Sequence, residues 1–225
     1  MKQFVGPVMV LLVLSGILYV IVRFAPIQPL FPSFIGEDSA TSMTVAHIRD
    51  DAPSYTVSAQ YPQFGIPAID TQVQQAMEAA ITEFKSLPQN PPNSATAQNE
   101  FTGTFDKVYI GPDIVSVELV LSEYTGGAHP LTLLSGMNFN RTTGRLLLLD
   151  DALKLIGLTT RQVSERATAQ FEQKFGDAFF ADGANDNPEN FSSFTISADK
   201  VTFIFQQYQV AAYAAGAQEA SFPRK

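Results

Sequence analysis

The sequence contains no cysteine, and this absence excludes several classes of site. Without thiols the chain cannot form disulfide bonds, a thiolate metal site or a cysteine nucleophile. It also cannot carry a lipid on an N-terminal cysteine. The 225 residues, with a hydrophobic content of 45%, are enough for one or two domains with a proper core.

Basic residues and histidines are also scarce. The chain has 14 Lys and Arg against 22 Asp and Glu, and removing Lys2 and Arg23 leaves 12 against 22, a net charge of −10. A body of this charge is not expected to bind nucleic acid by neutralising phosphates, and its field attracts basic partners instead. His47 and His129 are the only histidines, which limits any histidine-rich metal site. We expect neither a metal nor a cofactor.

A long hydrophobic run is present at the N-terminus. Residues 4–22 contain no charge and consist mostly of Val, Leu, Ile and Met. At about 1.5 Å per residue, such a helix covers the ~30 Å hydrocarbon layer of a bilayer. We interpret residues 1–25 as a single-pass transmembrane anchor or an uncleaved signal; a cleaved signal peptide, which would make the protein secreted, is the alternative. Either reading places the rest of the chain outside the cytoplasm.

Composition and periodicity divide the remainder into a stalk and two half-domains. Prolines 26, 29 and 32 punctuate residues 26–45, which are typical of a stalk. Residues 46–123 form the predicted N-terminal half-domain, with a strand near residues 55–61, a helix and two further strands. Residues 124–225 form the predicted C-terminal half-domain. The order of strand and helix blocks predicts an α+β fold, with helices packed on one side of antiparallel strands.

Two patterns in the N-terminal half-domain are specific enough to test. Thr71 and Gln74 fit a capping box that would begin the helix, and Pro88 would stop it. Residues 114–124 alternate as a strand, with valines and leucines on one face and Ser116, Glu118 and Ser122 on a face expected to be wetter.

The C-terminal half-domain contains three further local patterns. Asp150 is predicted to cap a short helix that ends at Gly157, and Thr159 and Gln162 form a second capping box. A hairpin is predicted across residues 198–200.

The stretch from Tyr124 to Asp151 organises the chain. It predicts a loop with two glycines and His129-Pro130, a strand, a turn at residues 142–144, a short strand and the start of a helix. Glycines 126 and 127 mark a sharp backbone turn that a bulky Cβ would disturb.

Three separated pieces of the chain carry a resemblance to a known family. Residues 124–130 read YTGGAHP, residues 138–144 read NFNRTTG with LDD at 149–151, and residues 208–216 read YQVAAYAAG. In content and order they resemble the extracytoplasmic domain shared by the lysozyme-binding anti-sigma factor RsiV and the non-catalytic region of the peptidoglycan deacetylase PdaC. The resemblance covers about residues 54–223. Gln209 departs from the family, in which we expect Glu.

The resemblance implies a membrane-anchored, non-catalytic binding or sensing module of the bacterial cell envelope. Its partner would be a cell-wall component such as peptidoglycan, or a cationic protein such as lysozyme. Because only residues 1–3 precede the apolar run, we do not expect the chain to hold a sigma factor. A wall-modifying hydrolase or deacetylase-associated protein, and a structural protein that self-associates, are the alternatives. The candidate binding residues are Tyr124, Gly126, Gly127, His129, Tyr208 and Tyr213.

Other chemistry has weaker support in the residues. His129 could act as a base near Ser135 or Thr125, but no Gly-x-Ser-x-Gly elbow surrounds any serine. His129 could instead satisfy backbone groups in its loop, and the tyrosines could pack on the core. Paired carboxylates can hydrolyse glycosides, but the aspartates at 150, 151 and 199 fit caps or turns. The Asp182 to Glu189 loop offers oxygen ligands without the spacing of a helix-loop-helix calcium site.

Overall fold

The computed structural model describes residues 43–90 and 97–225, and these residues form two β-sheets with their helices. In chain order the elements are β1 (Thr44–Ala52), β2 (Tyr55–Gln63), α1 (Pro67–Ser86), β3 (Asn99–Ile110), β4 (Ile114–Tyr124), β5 (Leu131–Asn140), α2 (Leu149–Ile156), α3 (Thr160–Phe175), β6 (Phe194–Ile196), β7 (Lys200–Phe205) and β8 (Gln218–Pro223). Short 3₁₀ turns lie between α3 and β6 and before β8. The predicted α+β class is confirmed.

The first sheet contains the strands β1 to β5 in their order along the chain. All neighbours pair antiparallel except β2 and β3, which are parallel. A parallel pair needs a crossover between its strands, and α1 provides it by packing on one face of the sheet. The expectation of purely antiparallel strands was therefore wrong at this one pairing, although antiparallel pairs dominate.

The helix α1 begins earlier than its predicted capping box. Pro67 occupies the first turn, where its missing N–H is not needed. The Asp70 side chain accepts a hydrogen bond from the backbone N–H of Phe64 at 2.6 Å. Thr71 and Gln74 thus lie inside the helix. The predicted end is confirmed, because the helix stops at Ser86, two residues before Pro88. Its apolar face is buried against the sheet through residues that include Val73, Met77, Ala80, Ile81 and Phe84.

The strand β4 has its predicted bounds, but its second face is not wet. Ser116 is fully buried and Glu118 is almost fully buried. The reason is tertiary: the strand β6 of the second sheet packs beside β4 and β5. At the closest point, a Cβ on Gly136 would lie 1.8 Å from the carbonyl oxygen of Phe194. The alternation of apolar and polar residues in β4 therefore predicted one apolar face of the sheet correctly. It could not predict that another part of the chain covers the second face.

The second sheet contains β6, β7 and β8, all antiparallel. The hairpin of β6 and β7 was predicted, and its apolar residues pack against α2 and α3 in a separate core. The helix α3 begins with the predicted capping box, in which Thr159 and Gln162 bond each other's backbone. The helix α2 ends at Gly157 (φ 64°), also as predicted. However, the side chain that caps its first turn is Asp151, which accepts from Leu148 N at 3.0 Å, rather than Asp150.

The predicted anchor and most of the predicted stalk lie outside the described residues. The strand β1 begins at Thr44, inside the predicted stalk by two residues, and it was not predicted. Within residues 43–90 and 97–225, no helix is both long enough and apolar enough to cross a bilayer. The predicted boundary between half-domains stays a prediction; β5 pairs with β4 along its whole length and thus completes the first sheet.

Candidate functional site

The YTGGAHP loop connects β4 to β5 and is exposed to solvent at residues 125–130. Gly126 has a φ of 93°, a conformation that L side chains rarely adopt. Gly127 has no such requirement, and a Cβ there would meet only the carbonyl oxygen of His129 at 3.8 Å. The turn thus depends on the first glycine and carries His129 at its far end.

The structure brings three of the predicted residues together. The rings of His129 and Tyr213 stack, with centroids 3.6 Å apart and planes 17° apart. The Tyr208 ring lies 5.5 Å from the Tyr213 ring, and its hydroxyl is 3.4 Å from His129 Nε2. The Tyr213 hydroxyl donates to the carbonyl of Pro130 at 3.1 Å. We call His129, Tyr208 and Tyr213 the aromatic patch; its first two members are exposed and Tyr213 is half-buried.

Tyr208 stands in a backbone conformation that disfavours its side chain. Its φ is +66°, whereas a large L residue avoids the left-handed region. Its ring is nevertheless 38% exposed, so burial of the ring does not offset this cost. Strained positions of this kind persist where the surroundings fix them, and they cluster at binding and catalytic sites.

Two glutamines fix the loop that carries Tyr208. Gln206 lies against the outer edge of β5, where its side chain accepts from Leu134 N at 3.0 Å and donates to Leu134 O at 2.8 Å. Gln209 accepts from Gln206 N at 2.8 Å and donates to the carbonyls of Gly183 and Asn190 at 2.9 and 3.0 Å. The predicted site did not include Gln206, because no local sequence pattern indicates that a side chain will hydrogen-bond to the backbone of a distant strand.

Gln209 makes contacts that the Glu expected in the family could not make, and the departure from the family itself stays a prediction. The amide nitrogen of Gln209 donates to two carbonyl oxygens, Gly183 O and Asn190 O. A glutamate has no donor when ionised, and its oxygen would face those carbonyls. In this chain, residue 209 therefore joins the loop of Tyr208 to the 3₁₀ turns of residues 181–191.

Tyr124 does not join the aromatic patch. It ends β4, pairs with Glu100 of β3 and is half-exposed. Among the described residues, Tyr124 has no ring contact with His129, Tyr208 or Tyr213. Its assignment as a binding residue stays a prediction.

Glu123, beside Tyr124, is a carboxyl group whose pKa is raised to near neutrality. Burial raises the pKa of Glu123 from 4.5 to about 7, and the nearby Glu83 adds to the shift. Its side chain lies on the face of the sheet that packs against α1. Sequence reading missed it because a single Glu in an alternating strand carries no sign of its depth.

Two of the aspartates considered as catalytic candidates, Asp151 and Asp199, have structural partners. Arg145 holds Asp151 through two hydrogen bonds of 2.9 and 3.0 Å and lowers its pKa, while Asp151 also accepts from Leu148 N. Ser197 donates to Asp199 at 2.7 Å in the hairpin turn and lowers the pKa of Asp199. Both aspartates therefore occupy the cap and turn roles that the sequence indicated for them.

The loop of residues 182–189 uses several of its oxygens within the chain. Asn185 Oδ1 accepts from Asn187 N and from Asn190 Nδ2, and Asn187 Oδ1 accepts from Glu189 N. Asp186 lies 3.6 Å from the guanidinium of Arg161. In the part of the chain that the structure describes, no group of three or more His, Asp or Glu side chains could hold a metal ion. Binding of calcium by this loop stays a hypothesis.

His129 has hydrogen-bond partners other than a serine. Its Nδ1 lies 3.1 Å from the carbonyl of Pro130, and its Nε2 faces the Tyr208 hydroxyl. Ser135 lies on β5 and is buried, with 8% of its surface exposed. The geometry at His129 is that of an exposed, hydrogen-bonded aromatic cluster.

Two segments of the chain match family models. Residues 48–132 match the model described as Deacetylase PdaC, and residues 150–225 match the model described as Protein of unknown function (DUF3298). The first match covers the sheet up to the start of β5, and the second covers α2, α3 and the second sheet. The resemblance to the PdaC family is therefore confirmed. The resemblance to RsiV stays a prediction.

Two curated proteins are similar over most of this chain. The peptidoglycan-N-acetylmuramic acid deacetylase PdaC of Bacillus subtilis is 25% identical over 182 residues, which are 79% of this chain but only 39% of that protein. An esterase of Mycobacterium tuberculosis is 26% identical over 195 residues, which are 80% of each protein. The chain thus spans about two fifths of the deacetylase.

Solved structures support the same fold. A member of the DUF3298 family from Bacteroides fragilis superposes with a TM-score of 0.54 at 17% identity, over 82% of this chain and 90% of that one. A DUF3298 family protein from Pseudomonas aeruginosa gives 0.52 at 15% identity, over 83% and 92%. At these identities the likeness concerns the fold alone.

Proposed function

We propose that this chain, in which a PdaC segment precedes a DUF3298 segment, is a binding module of the bacterial cell envelope. It stands outside the cytoplasm on an N-terminal membrane anchor and binds a wall component or a cationic wall-directed protein. The matches to a peptidoglycan deacetylase support a role at the cell wall. Because the chain spans 39% of that protein, the deacetylation itself is not carried over.

The aromatic patch is the observation that carries this proposal. Tyr208 keeps a strained left-handed conformation although its ring is exposed, and such positions cluster at binding and catalytic sites. Beside it, the exposed ring of His129 stacks on Tyr213. Aromatic rings that are apolar on their faces and polar at their tips are typical of binding surfaces. The loops that hold the patch rest on two packed sheets, so the rings are held in place before any ligand arrives.

Binding of the full chain, in detergent micelles, to insoluble peptidoglycan and to lysozyme would test the proposal. We expect retention by at least one of them, and loss of retention in the variant Tyr208→Ala. Val45→Ala is the control, since Val45 is exposed on β1, at the edge of the first sheet opposite β5. If the parent chain binds neither material at low or high salt, the proposed binding function is wrong.

An esterase is the second candidate function, because a relative with that name aligns with 80% of this chain. The observation in its favour is His129, whose Nε2 faces the hydroxyl of Tyr208 at 3.4 Å. A base beside a hydroxyl is the minimum for nucleophilic attack on an ester. In such a reaction His129 would take the proton of the attacking hydroxyl or of a water molecule.

Hydrolysis of p-nitrophenyl acetate by the purified chain would test this second candidate. An esterase that uses the patch should lose turnover by about a hundredfold or more in His129→Ala, whereas His47→Ala should match the parent. Turnover that is equal in the parent and in His129→Ala would dismiss the patch as a catalytic site.

A further inference from the structure

Three segments that contain or adjoin the aromatic patch have no Lys or Arg within them, although a Lys or Arg flanks each of them at both ends. These segments are residues 108–140, 175–199 and 201–223, and all 14 Lys and Arg lie elsewhere in the sequence. The same segments contain nine acidic residues, namely Asp113, Glu118, Glu123, Asp177, Asp182, Asp186, Glu189, Asp199 and Glu219. The asymmetry is larger than the net charge of −8 indicates.

Four of these acids lie in the turns that are joined to the patch. Asp177, Asp182, Asp186 and Glu189 are all exposed. The turns that carry them contact the loop of Tyr208 through Gln209, which bonds to Gly183 and Asn190, and through the bond from Phe180 N to Val210 O at 2.9 Å. Asp186 lies 3.6 Å from Arg161, whereas Asp177, Asp182 and Glu189 form no ion pair among the described residues. The turns joined to the loop of Tyr208 therefore carry net negative charge.

An aromatic surface of this kind attracts a cation in two ways. The negative face of a tyrosine ring attracts an ammonium within about 6 Å of its centre. The electrostatic field of the carboxylates attracts cations as well. A flat ring also packs against the C–H face of a sugar, which is apolar while its rim is polar. One ligand that satisfies both requirements is a sugar with a free, protonated amine.

We infer that the aromatic patch binds the de-N-acetylated, cationic amino sugars of a glycan strand in preference to N-acetylated ones. The inference rests on the proposed function and names the ligand class of the same site. The reaction that must supply this ligand is the hydrolysis of an N-acetyl group, in which water releases acetate and leaves an amine on the sugar. The name of the deacetylase relative describes a reaction of this class.

Isothermal titration of the full chain in micelles with glucosamine tetramer and with N-acetylglucosamine tetramer tests the inference. The two probes differ only in acetylation. At about pH 6 we expect the amine form to bind at least tenfold more tightly, and this preference should shrink at high salt because screening weakens the charge term.

Two pairs of variants locate the effect. Tyr213→Leu should lose binding, whereas Tyr213→Phe, which keeps the ring, should retain most of it. The double change Asp186→Asn with Glu189→Gln should reduce the preference for the amine form, and Glu165→Gln with Glu172→Gln on α3 is its matched control.

Equal affinity for the two tetramers, or a preference for the acetylated one, would overturn the inference. If peptidoglycan or lysozyme is still retained through the patch in that case, the proposed binding function stands. Retention of lysozyme without binding of either tetramer would likewise overturn the inference, in favour of a protein ligand. Failure of the tetramers, peptidoglycan and lysozyme together would end both proposals.

Discussion

The two sheets of this protein are stabilised differently. The first sheet buries a mixture of aliphatic and aromatic residues, among them Met77, Phe84 and Phe101, against one long helix. The second sheet is smaller and relies on phenylalanines in edge-to-face contacts, such as Phe171 with Phe205 and Phe191 with Phe203. The first region is regular secondary structure over most of its length, whereas the second contains the short turns and the 206–216 loop that carry two of the three patch residues. Regular structure thus supplies the platform, and the irregular region supplies the exposed rings.

The two regions are joined by polar groups that neither could satisfy alone. Ser116 donates to Asn138 at 2.7 Å and accepts from Ile196 N at 3.0 Å, while Asn138 donates to Phe194 O at 2.7 Å. Buried polar groups of this kind cost free energy when a partner is removed. The second sheet therefore docks on the first in one specific position.

A second junction is ionic. Lys107 bonds to Glu118 of the first sheet at 2.8 Å and also to Glu219 of the second. Burial raises the pKa of Glu118, and Lys107 acts against that shift. Lys107 stands at a bulge in β3 with a φ of +48°, a conformation that directs its side chain between the two sheets.

The largest effect is expected from separating the two sheets at their closest approach. In Gly136→Ala, the new Cβ would lie 1.8 Å from Phe194 O and 2.5 Å from Phe194 C, both of them backbone atoms. We expect the free energy of unfolding to fall by about 3 kcal/mol, at the upper end of overpacking effects. Urea denaturation of the full chain in micelles measures it. Gly127→Ala is the matched control and should change stability by less than about 0.5 kcal/mol. A small effect at residue 136 would mean that the sheets are not in fixed contact.

A smaller effect, confined to the first region, is expected from Glu123. Its pKa is about 7 in the folded chain against 4.5 for an ordinary Glu. Between these values the folded chain holds a proton that the unfolded chain has lost, so stability falls as pH rises through this window and is level above it. Glu123→Gln should therefore raise the free energy of unfolding by about 2 kcal/mol at pH 8 and change little at pH 4.5.

Urea denaturation at pH 4.5, 6 and 8 gives this comparison. Glu172→Gln, an exposed change on α3 in the second region, should follow the parent at every pH. A gain from Glu123→Gln that is the same at pH 4.5 and pH 8 would show that ionisation of this carboxyl is not the cause.

The smallest effect on stability is expected in the aromatic patch. Glycine adopts the left-handed conformation of Tyr208 without strain, but it also loses more chain entropy on folding and makes no ring contacts. These terms oppose each other, so Tyr208→Gly should change the free energy of unfolding by less than about 1 kcal/mol. Retention on peptidoglycan or lysozyme should nevertheless fall at least tenfold. A loss of several kcal/mol would show that Tyr208 is part of the core rather than of a binding surface.

Local patterns were sufficient for some features and failed at others for identifiable reasons. The ends of α1 show the difference: Pro88 stops the helix by a local clash, as predicted, but its start at Pro67 was missed in favour of a capping box that also fits the residues. The strand β1 was missed because its alternating face is only half-buried, so its apolar signal is weak. In the site, the YTGGAHP loop was located from its glycines, whereas the supporting Gln206 was not.

The sequence by itself determined the α+β class, most of the strands and helices, and the loop that carries His129. These features follow from the periodicity of apolar residues, from proline and glycine, and from capping side chains, all of which act over a few residues. Only the tertiary structure decided that Ser116 and Glu118 are buried, that β2 and β3 run parallel, and that His129 stacks on Tyr213, 84 positions further along the chain. Each of these depends on contacts between distant segments, and such contacts leave no periodic trace in either segment alone.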